Sequence, residues 1–307
     1  MRLDLGINTC FAVKRWPLPS DWAPLVRDCL HLRIVEHSFD LVDVKSGSAS
    51  RQAEAVRLGI STCGLEVRST FTGLAAYSSN MLLSPDLSER NAAMDWYRSA
   101  LSFSQSIGAI ATGGHVGAYS VSDWGDPEAR SARWRSLHES LQALAADARA
   151  AGQTAILVEN LASEREPSTM AMVRDLLMEA DESHAAILLA LDVGHMCVSG
   201  TYGLDRDPYS WLRRFGRVAF EVQLQQTDAS GDHHWPFTPA ANSHGRINAD
   251  RVIDALGEGG VDRLSLILEI IPPFEQNDAS VLDDLIATVD YWKEALSRRG
   301  VLNESPA

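Results

Sequence analysis

Cysteine is scarce in this 307-residue sequence, and its spacing excludes two common roles. Cys10, Cys29, Cys63 and Cys197 are scattered, and no two of them form a Cys-x-x-Cys pair. Disulfide frameworks and zinc clusters use closely spaced pairs, so these thiols are predicted to be reduced and mostly buried. Cys10 is the one thiol for which a catalytic role stays open.

Long apolar runs and an excess of positive charge are also missing. No apolar stretch approaches the ~20 residues of a membrane span, and Arg2 and Asp4 interrupt the segment where a signal peptide would be apolar. We therefore expect a cytoplasmic protein that does not enter a membrane. The 27 basic and 41 acidic residues give a formal net charge of -14, which repels nucleic-acid phosphates and anionic lipids. A small molecule is the expected partner.

The sequence does contain a regular alternation of short apolar runs with segments of helical period. Eight strands are predicted, over residues 3–8, 32–39, 65–71, 109–115, 154–160, 187–195, 217–225 and 264–271. Between them, apolar residues recur every three or four positions, as covering helices require. Eight repeats with nearly continuous apolar strands predict an α/β protein, a single (β/α)8 TIM barrel over 1–307 with a flexible tail at about 300–307. An open, doubly wound sheet is the alternative, because periodicity does not show whether a sheet closes.

Polar residues end four consecutive predicted strands. Glu159, Asp192, Gln225 and Glu269 stand at or near the ends of strands five to eight, and these ends form the active site of a TIM barrel. A buried acid is costly unless it is paired or bound to a metal. Because no lysine or arginine lies near the acids in these strands, we expect the three acids to share a divalent cation. Pairing with a lysine or a helix N-terminus remains the alternative for any one acid.

These residues resemble the metal site of the xylose isomerase-like barrel superfamily, the sugar isomerases and epimerases related to endonuclease IV. VEN at 158–160, LDVGH at 191–195 and the isolated Glu269 carry the resemblance, which follows the element order of essentially the whole chain. It implies that Glu159, Asp192 and Glu269 are metal ligands and that His195 contacts substrate. The histidine ligand of the family falls at Gln225. CFAVKRWP at 10–17 and TDASGDHHWPF at 227–237 are similar to a branch acting on short or branched sugars, such as D-erythrulose 1-phosphate 3-epimerases or apiose isomerases.

The departure at Gln225 leads to a prediction about the metal. Side chains alternate along a strand, so Gln225 is expected to point into the barrel and offer its amide oxygen as the fourth ligand. A set of oxygen ligands favours Mn2+, with Mg2+ or Co2+ as alternatives. The rival interpretation is that Gln225 binds substrate and His234 supplies a nitrogen ligand.

Glu159 and Glu269 lie on strands that flank the predicted metal site, so they are the predicted catalytic acid and base. The implied reaction moves a proton beside the carbonyl of a short-chain sugar, as 3-epimerisation or as aldose–ketose isomerisation. A catalytically inactive sugar-binding barrel or subunit is one alternative. An endonuclease IV-like nuclease is another, opposed by the net charge, by the lack of a histidine in the third strand and by Gln225.

The remaining candidates are substrate contacts at the mouth of the barrel. They are His195, His234, His115, Trp16, Lys14 and Arg68, with Arg15 and Arg246 as further residues that could meet a substrate phosphate. Solvated surface charge and buried packing are the alternative roles of these cations and of Trp16. The expected substrate is a small sugar or sugar phosphate, and homo-oligomerisation stays open.

Overall fold

The computed structural model of the protein describes residues 1–198, 200 and 202–303. Its eight strands are parallel neighbours in chain order, and the first also pairs with the last, which closes the barrel. The prediction of a TIM barrel is therefore confirmed, and the open sheet is excluded. The strands are β1 (Arg2–Asn8), β2 (Ile34–Ser38), β3 (Glu66–Phe71), β4 (Ala111–Gly114), β5 (Ala155–Glu159), β6 (Ala186–Asp192), β7 (Ala219–Leu224) and β8 (Arg263–Leu268).

Helices cover the outside of the barrel. Asp126 shows how their starts are fixed: its side chain accepts the N–H groups of Glu128 and Ala129, and Pro127 follows as the first helical residue. No helix in the described part of the chain is long and apolar enough to span a membrane. The α-helices of that part are α1 (Pro19–Pro24), α2 (Ala49–Cys63), α3 (Leu87–Ile107), α4 (Val121–Gly125), α5 (Pro127–Ala150), α6 (Met170–Leu176), α7 (Pro208–Phe215), α8 (Pro239–Asn242), α9 (Ala249–Glu258) and α10 (Asp278–Arg298).

Alternation along β5 shows how the strands divide their side chains between the two sides of the sheet. Ile156 and Val158 belong to the apolar cluster that includes α5 residues. Ala155 and Leu157 belong to a separate small cluster of strand residues. Since side chains on a strand alternate, Glu159 shares the side of Ala155 and Leu157 and points into the barrel.

The N-terminal end of the barrel interior is closed by an ion pair, which corrects one prediction. Arg68 donates to the Asp4 carboxylate at 2.9 Å and also to the Ser265 hydroxyl. Each of these residues is the third in its strand, so Arg68 lies at the end of the barrel opposite Glu159. The predicted substrate contact of Arg68 is therefore wrong, because its guanidinium neutralises a buried carboxylate.

The predicted flexible tail needs a correction as well. Leu302 bridges to Leu3, and Asn303 donates to Asp4 Oδ1 at 2.6 Å. Residues 300–303 are therefore held against the first strand, while 304–307 lie outside the described residues.

A polar layer occupies the middle of the barrel interior, between Asp4 and the strand ends. Glu36 of β2 and Glu221 of β7 are fully buried, and they lie close enough for the charge of Glu36 to raise the pKa of Glu221. Asn8 and Gln223 donate to Glu36 Oε2 at 2.7 and 3.1 Å, and Ser69 donates to Glu221 Oε2 at 2.8 Å. Burial raises the pKa of both carboxyl groups, because two negative charges inside the barrel are costly.

Candidate active site

The structure brings the three predicted acids together at the C-terminal end of the barrel. Glu159 ends β5, Asp192 ends β6, and Glu269 directly follows β8. All three are buried, and one oxygen of each lies within 4.8 Å of the others. Three carboxylates this close repel one another strongly unless protons or a cation intervene.

The carboxylate oxygens differ in their hydrogen bonds. Asp192 Oδ1 accepts the backbone N–H groups of Gly194 and His195 at 2.6 and 2.8 Å. Glu159 Oε2 accepts the hydroxyl of Tyr77 at 2.7 Å, whereas Glu159 Oε1 and Glu269 Oε2 are buried without a hydrogen bond. Two buried oxygens without hydrogen-bond donors are suited to coordinate a cation.

The raised pKa values of the acids also support a cation site. Burial raises the pKa of Glu159 and Glu269 well above the usual value, and the negative charge of Glu159 and Asp192 raises that of Glu269 further. A divalent cation between these acids would oppose both effects, because it favours the charged form of each carboxylate. The donor set thus fits a hard divalent metal ion.

Gln225 lies beside these acids, but its amide is turned the opposite way from the prediction. Its oxygen accepts the backbone N–H of His234 at 2.8 Å, and its nitrogen lies 3.2 Å from both oxygens of Asp192 and 2.7 Å from Asp232 Oδ1. If the oxygen and nitrogen of the Gln225 amide were exchanged, its NH2 group would face the backbone N–H of His234, and two donors would oppose each other. The hydrogen bonds therefore favour the orientation described. In this structure Gln225 is a hydrogen-bond donor to carboxylates, an arrangement that favours the rival interpretation over the predicted oxygen ligand.

His234 offers the nitrogen that Gln225 does not. Its Nδ1 lies 3.2 Å from the carbonyl oxygen of Glu269 and donates to it, which leaves the lone pair on Nε2. Nitrogen and oxygen atoms of His234, Asp192 and His195 lie within 4.8 Å of one another. The rival interpretation from the sequence, a nitrogen ligand at His234, agrees with this geometry.

His195 is placed between acceptors on both sides. Its Nδ1 lies 2.8 Å from the carbonyl oxygen of Asn160, and its Nε2 lies 3.0 Å from Asp232 Oδ2. Burial alone would lower the pKa of His195, but the carboxylates of Asp192, Asp232 and Glu159 outweigh burial and raise it well above the usual value. Both ring nitrogens therefore face acceptors, and the nearby carboxylates favour the protonated form of the ring.

A cavity of about 320 Å3 opens beside the acids. Asp232 and Tyr77 are on its wall, and neither was among the predicted site residues. Asp232 lies two residues before His234, and that Asp-x-His spacing was a usable signal, whereas nothing in the sequence around Tyr77 marks it. The described lining residues are Cys10, Asp40, Phe71, Gly73, Leu74, Tyr77, Asp232, His233, His234, Glu269 and Ile271.

Two predicted substrate contacts are packed outside this wall. His115 is fully buried, with its ring 4.6 Å from that of Tyr77 and its Nε2 3.5 Å from Glu166 Oε1. Trp16 packs against the core, with its ring 6.1 Å from that of Phe11. His115 therefore supports the ring of Tyr77 from outside the cavity, whereas Trp16 is a packing residue.

The predicted phosphate-binding cations near the mouth are engaged elsewhere. The ammonium of Lys14 lies 3.9 Å above the ring of Phe274, and Arg15 pairs with Asp278 at 3.1 Å. Arg246 reaches the carbonyl oxygen of Cys197 at 3.5 Å. Among the described residues, no lysine or arginine lines the cavity.

Cys10 lines the cavity as a neutral thiol. Its Sγ donates to the carbonyl oxygen of Ile270 at 3.4 Å. Burial, followed by the charge of Glu269, raises the pKa of Cys10 well above its usual value. A thiol held in this form is a poor nucleophile, so the geometry opposes the catalytic role left open by the sequence.

Comparison with known proteins places this chain in a family. The chain is 26% identical over 299 residues to the D-erythrulose 1-phosphate 3-epimerase of Brucella abortus (strain 2308), covering 95% of this chain and 96% of that protein. A protein of Rhodospirillum rubrum ATCC 11170, provisionally named a xylose isomerase, has 31% identity and a TM-score of 0.88 over 95% of this chain and 99% of its own.

The barrel is also shared with more distant proteins. D-psicose 3-epimerase of Clostridium cellulolyticum H10 has 15% identity and a TM-score of 0.68, covering 95% of this chain and 99% of its own, which shows the common fold. The model of one family, described as the xylose isomerase-like TIM barrel, matches residues 34–289. The chain belongs to the xylose isomerase-like TIM barrel family.

Proposed function

We propose that the protein is a divalent-metal-dependent sugar isomerase that moves a proton beside the carbonyl of a short-chain sugar. The observation that carries the proposal is the pair Glu159 and Glu269, two buried carboxylates that each keep one oxygen without a hydrogen bond. The isomerase class is supported by the relative named a D-erythrulose 1-phosphate 3-epimerase. The site accommodates both 3-epimerisation and aldose–ketose isomerisation.

Glu159 and Glu269 are proposed to exchange the proton. A hydrogen on the carbon beside a carbonyl is weakly acidic, and a carboxylate at hydrogen-bonding distance can remove it. Glu159 and Glu269 are contributed by β5 and β8, so one would take the proton from one face of the carbon while the other returns a proton from the opposite face. That exchange inverts the carbon, whereas return of the proton to the neighbouring carbon gives aldose–ketose isomerisation.

The proposed metal ligands are Glu159, Asp192, Glu269 and His234. When bound, a divalent cation would supply Lewis-acid stabilisation of the charge that develops on the substrate oxygens. Three carboxylates and one imidazole favour Mn2+, with Mg2+ or Co2+ as alternatives. Gln225 holds the carboxylate of Asp192 by donating to it, and His195 donates to acceptors within the site.

The proposed substrate is a small sugar or a sugar phosphate. The cavity is lined by acids and by the apolar side chains of Phe71, Leu74 and Ile271, which suits the hydroxyls and the carbon chain of a sugar. The formal charge of -14 opposes the nuclease alternative, because DNA binding depends on neutralising phosphates.

The proposal is tested by hydrogen exchange. Manganese-loaded protein is incubated in D2O with tetruloses, pentoses and their phosphates, and NMR locates any deuterium on the sugar. We expect exchange beside the carbonyl of at least one sugar, and loss of that exchange in Glu159→Gln and in Glu269→Gln, because each variant removes a proton acceptor. Exchange at the wild-type rate in either folded variant would contradict the two-carboxylate reaction.

A further inference from the structure

Tyr77 joins the wall of the cavity to one of the proposed catalytic carboxylates. It lies in a short 3-10 turn, Leu74–Ser78, between β3 and α3. Its hydroxyl donates to Glu159 Oε2 at 2.7 Å, and its ring lines the cavity. The residue is 37% exposed although its hydroxyl reaches a fully buried acid. A half-exposed aromatic ring over an active-site acid is positioned to be covered by a ligand.

The turn that carries Tyr77 is anchored to the neighbouring strand end. Asp40 accepts the backbone N–H groups of Leu74 and Ala75 at 3.0 and 3.4 Å. Gly73 has a φ of +72°, and a Cβ there would lie 2.6 Å from the Asp40 carboxyl carbon. Glycine is thus required for Asp40 to approach this closely. The position of Tyr77 is therefore built into the loop.

Because the turn is anchored, the hydroxyl of Tyr77 holds the carboxylate of Glu159 in one orientation. Oε2 is occupied by Tyr77, while Oε1 is the buried oxygen without a hydrogen bond. His195 Nδ1 lies 3.2 Å from Oε1, but its N–H points to the carbonyl oxygen of Asn160 at 2.8 Å. Oε1 thereby stays available for a cation or a substrate proton.

We propose that Tyr77 is a positioning and specificity residue of this site. Its hydroxyl fixes the carboxylate of Glu159 so that Oε1 faces the reaction, and its ring packs against the carbon chain of the sugar and limits its length. The inference rests on the proposed function for its effect on catalysis. Its effect on the orientation of Glu159 is independent of the substrate.

Three variants separate the two roles, with turnover measured on the sugar identified by deuterium exchange. Tyr77→Phe keeps the ring and removes the hydrogen bond to a charged group, so kcat should fall about tenfold or more while KM stays within about twofold. Tyr77→Ala removes the wall as well, so KM should rise and sugars one or two carbons longer should become substrates. Tyr202→Phe is the matched control, because Tyr202 is 82% exposed, and it should behave as wild type.

Titration of Mn2+ alone into the metal-free proteins gives a second readout. The loss of a group that orients a ligand typically weakens metal binding about 10–100-fold, and we expect this for Tyr77→Phe but not for Tyr202→Phe. Wild-type kcat and Mn2+ affinity in Tyr77→Phe, or an unchanged preference for chain length in Tyr77→Ala, would overturn the inference. If wild type exchanges no deuterium with any sugar, the proposed function fails, and the Mn2+ titration still decides whether Tyr77 positions Glu159.

Discussion

Gln225 and His234 show how roles are divided between residues of this site. Both side chains lie beside the carboxylate of Asp192, but only His234 carries a lone pair on nitrogen, at Nε2, which lies 3.1 Å from the amide nitrogen of Gln225. Gln225 presents N–H groups, because its oxygen is held by the backbone of His234. His234 is thus suited to ligate a cation, and Gln225 is suited to orient the acids around that cation.

The two roles predict different losses of metal affinity. His234→Ala removes a proposed ligand, whereas Gln225→Ala removes a hydrogen-bond donor to Asp192, whose loss should weaken binding about 10–100-fold. We therefore expect His234→Ala to weaken Mn2+ binding more than Gln225→Ala does, as measured by calorimetric titration. The reverse order would restore Gln225 as the ligand and assign His234 to substrate.

Arg68 is predicted to matter for stability and not for substrate binding. Burial would raise the pKa of Asp4, but hydrogen bonds from Asn303 and Arg68 outweigh it and hold the pKa below its usual value. Arg68→Ala leaves this buried carboxylate with fewer donors, at a cost of about 1–3 kcal/mol in the free energy of unfolding. Urea denaturation measures that loss.

The KM for phosphorylated sugars should stay unchanged in Arg68→Ala. Arg263→Ala is the matched control, because Arg263 donates to the same carboxylate at 3.1 Å but its side chain is 61% exposed. It should lose less stability than Arg68→Ala. A selective rise in KM for phosphorylated sugars in Arg68→Ala would return this residue to the substrate site.

At the scale of elements, β2 and β7 are linked across the barrel by the carboxyl pair of Glu36 and Glu221. Burial, and then the charge of Glu36, raises the pKa of Glu221 well above its usual value of 4.5. The same layer reaches the active site, because Asn8 donates to both Glu36 and Glu269, at 2.7 and 3.3 Å. The interior polar layer therefore supports the site from below.

This pair makes stability depend on pH. Because the folded pKa of Glu221 lies above the unfolded one, the folded state binds more protons, and stability falls as pH rises from the unfolded toward the folded pKa. Glutamine cannot ionise and still donates to Glu36. Glu221→Gln should therefore gain stability relative to wild type between about pH 5 and about pH 8.

Denaturation at several pH values measures this difference. Glu54→Gln on α2, at an exposed position, is the control and should show no such trend. A constant difference between Glu221→Gln and wild type across this range would contradict the raised pKa of Glu221.

At the scale of the whole molecule, the proposed metal site joins the second half of the barrel. Its ligands come from β5, from β6 and from the segments that follow β7 and β8, so a bound cation would link four repeats. Pairing of the strands already holds those repeats together. Repulsion among the clustered carboxylates destabilises this arrangement unless a cation or protons neutralise them.

Metal should therefore stabilise the whole fold. At a free concentration of about 100 times its Kd, Mn2+ should raise the free energy of unfolding by about 2.7 kcal/mol. At a fixed Mn2+ concentration the effect should grow as pH rises, because Kd falls when fewer of the protons favoured by the raised pKa of Glu159 and Glu269 have to be displaced. Thermal unfolding with Mn2+ and with EDTA measures it. An equal Tm in both, in protein shown to bind Mn2+, would contradict this coupling.

The sequence alone determined the repeat pattern, the barrel and the strand ends that carry acids. These follow from local causes: apolar periodicity fixes which segments are strands, and alternation along a strand fixes that Glu159 points inward. The acids then had to meet, since parallel strands end at the same rim.

Only the tertiary structure decided which atoms face the centre of the site. The amide of Gln225 is oriented by the backbone N–H of His234, nine residues later, which donates to its oxygen. Arg68 points away from the site because it pairs with the buried carboxylate of Asp4, 64 residues earlier. Tyr77 reaches Glu159 across 82 residues of sequence. Such contacts depend on loop paths and on competition between donors and acceptors distant in sequence, which periodicity does not encode.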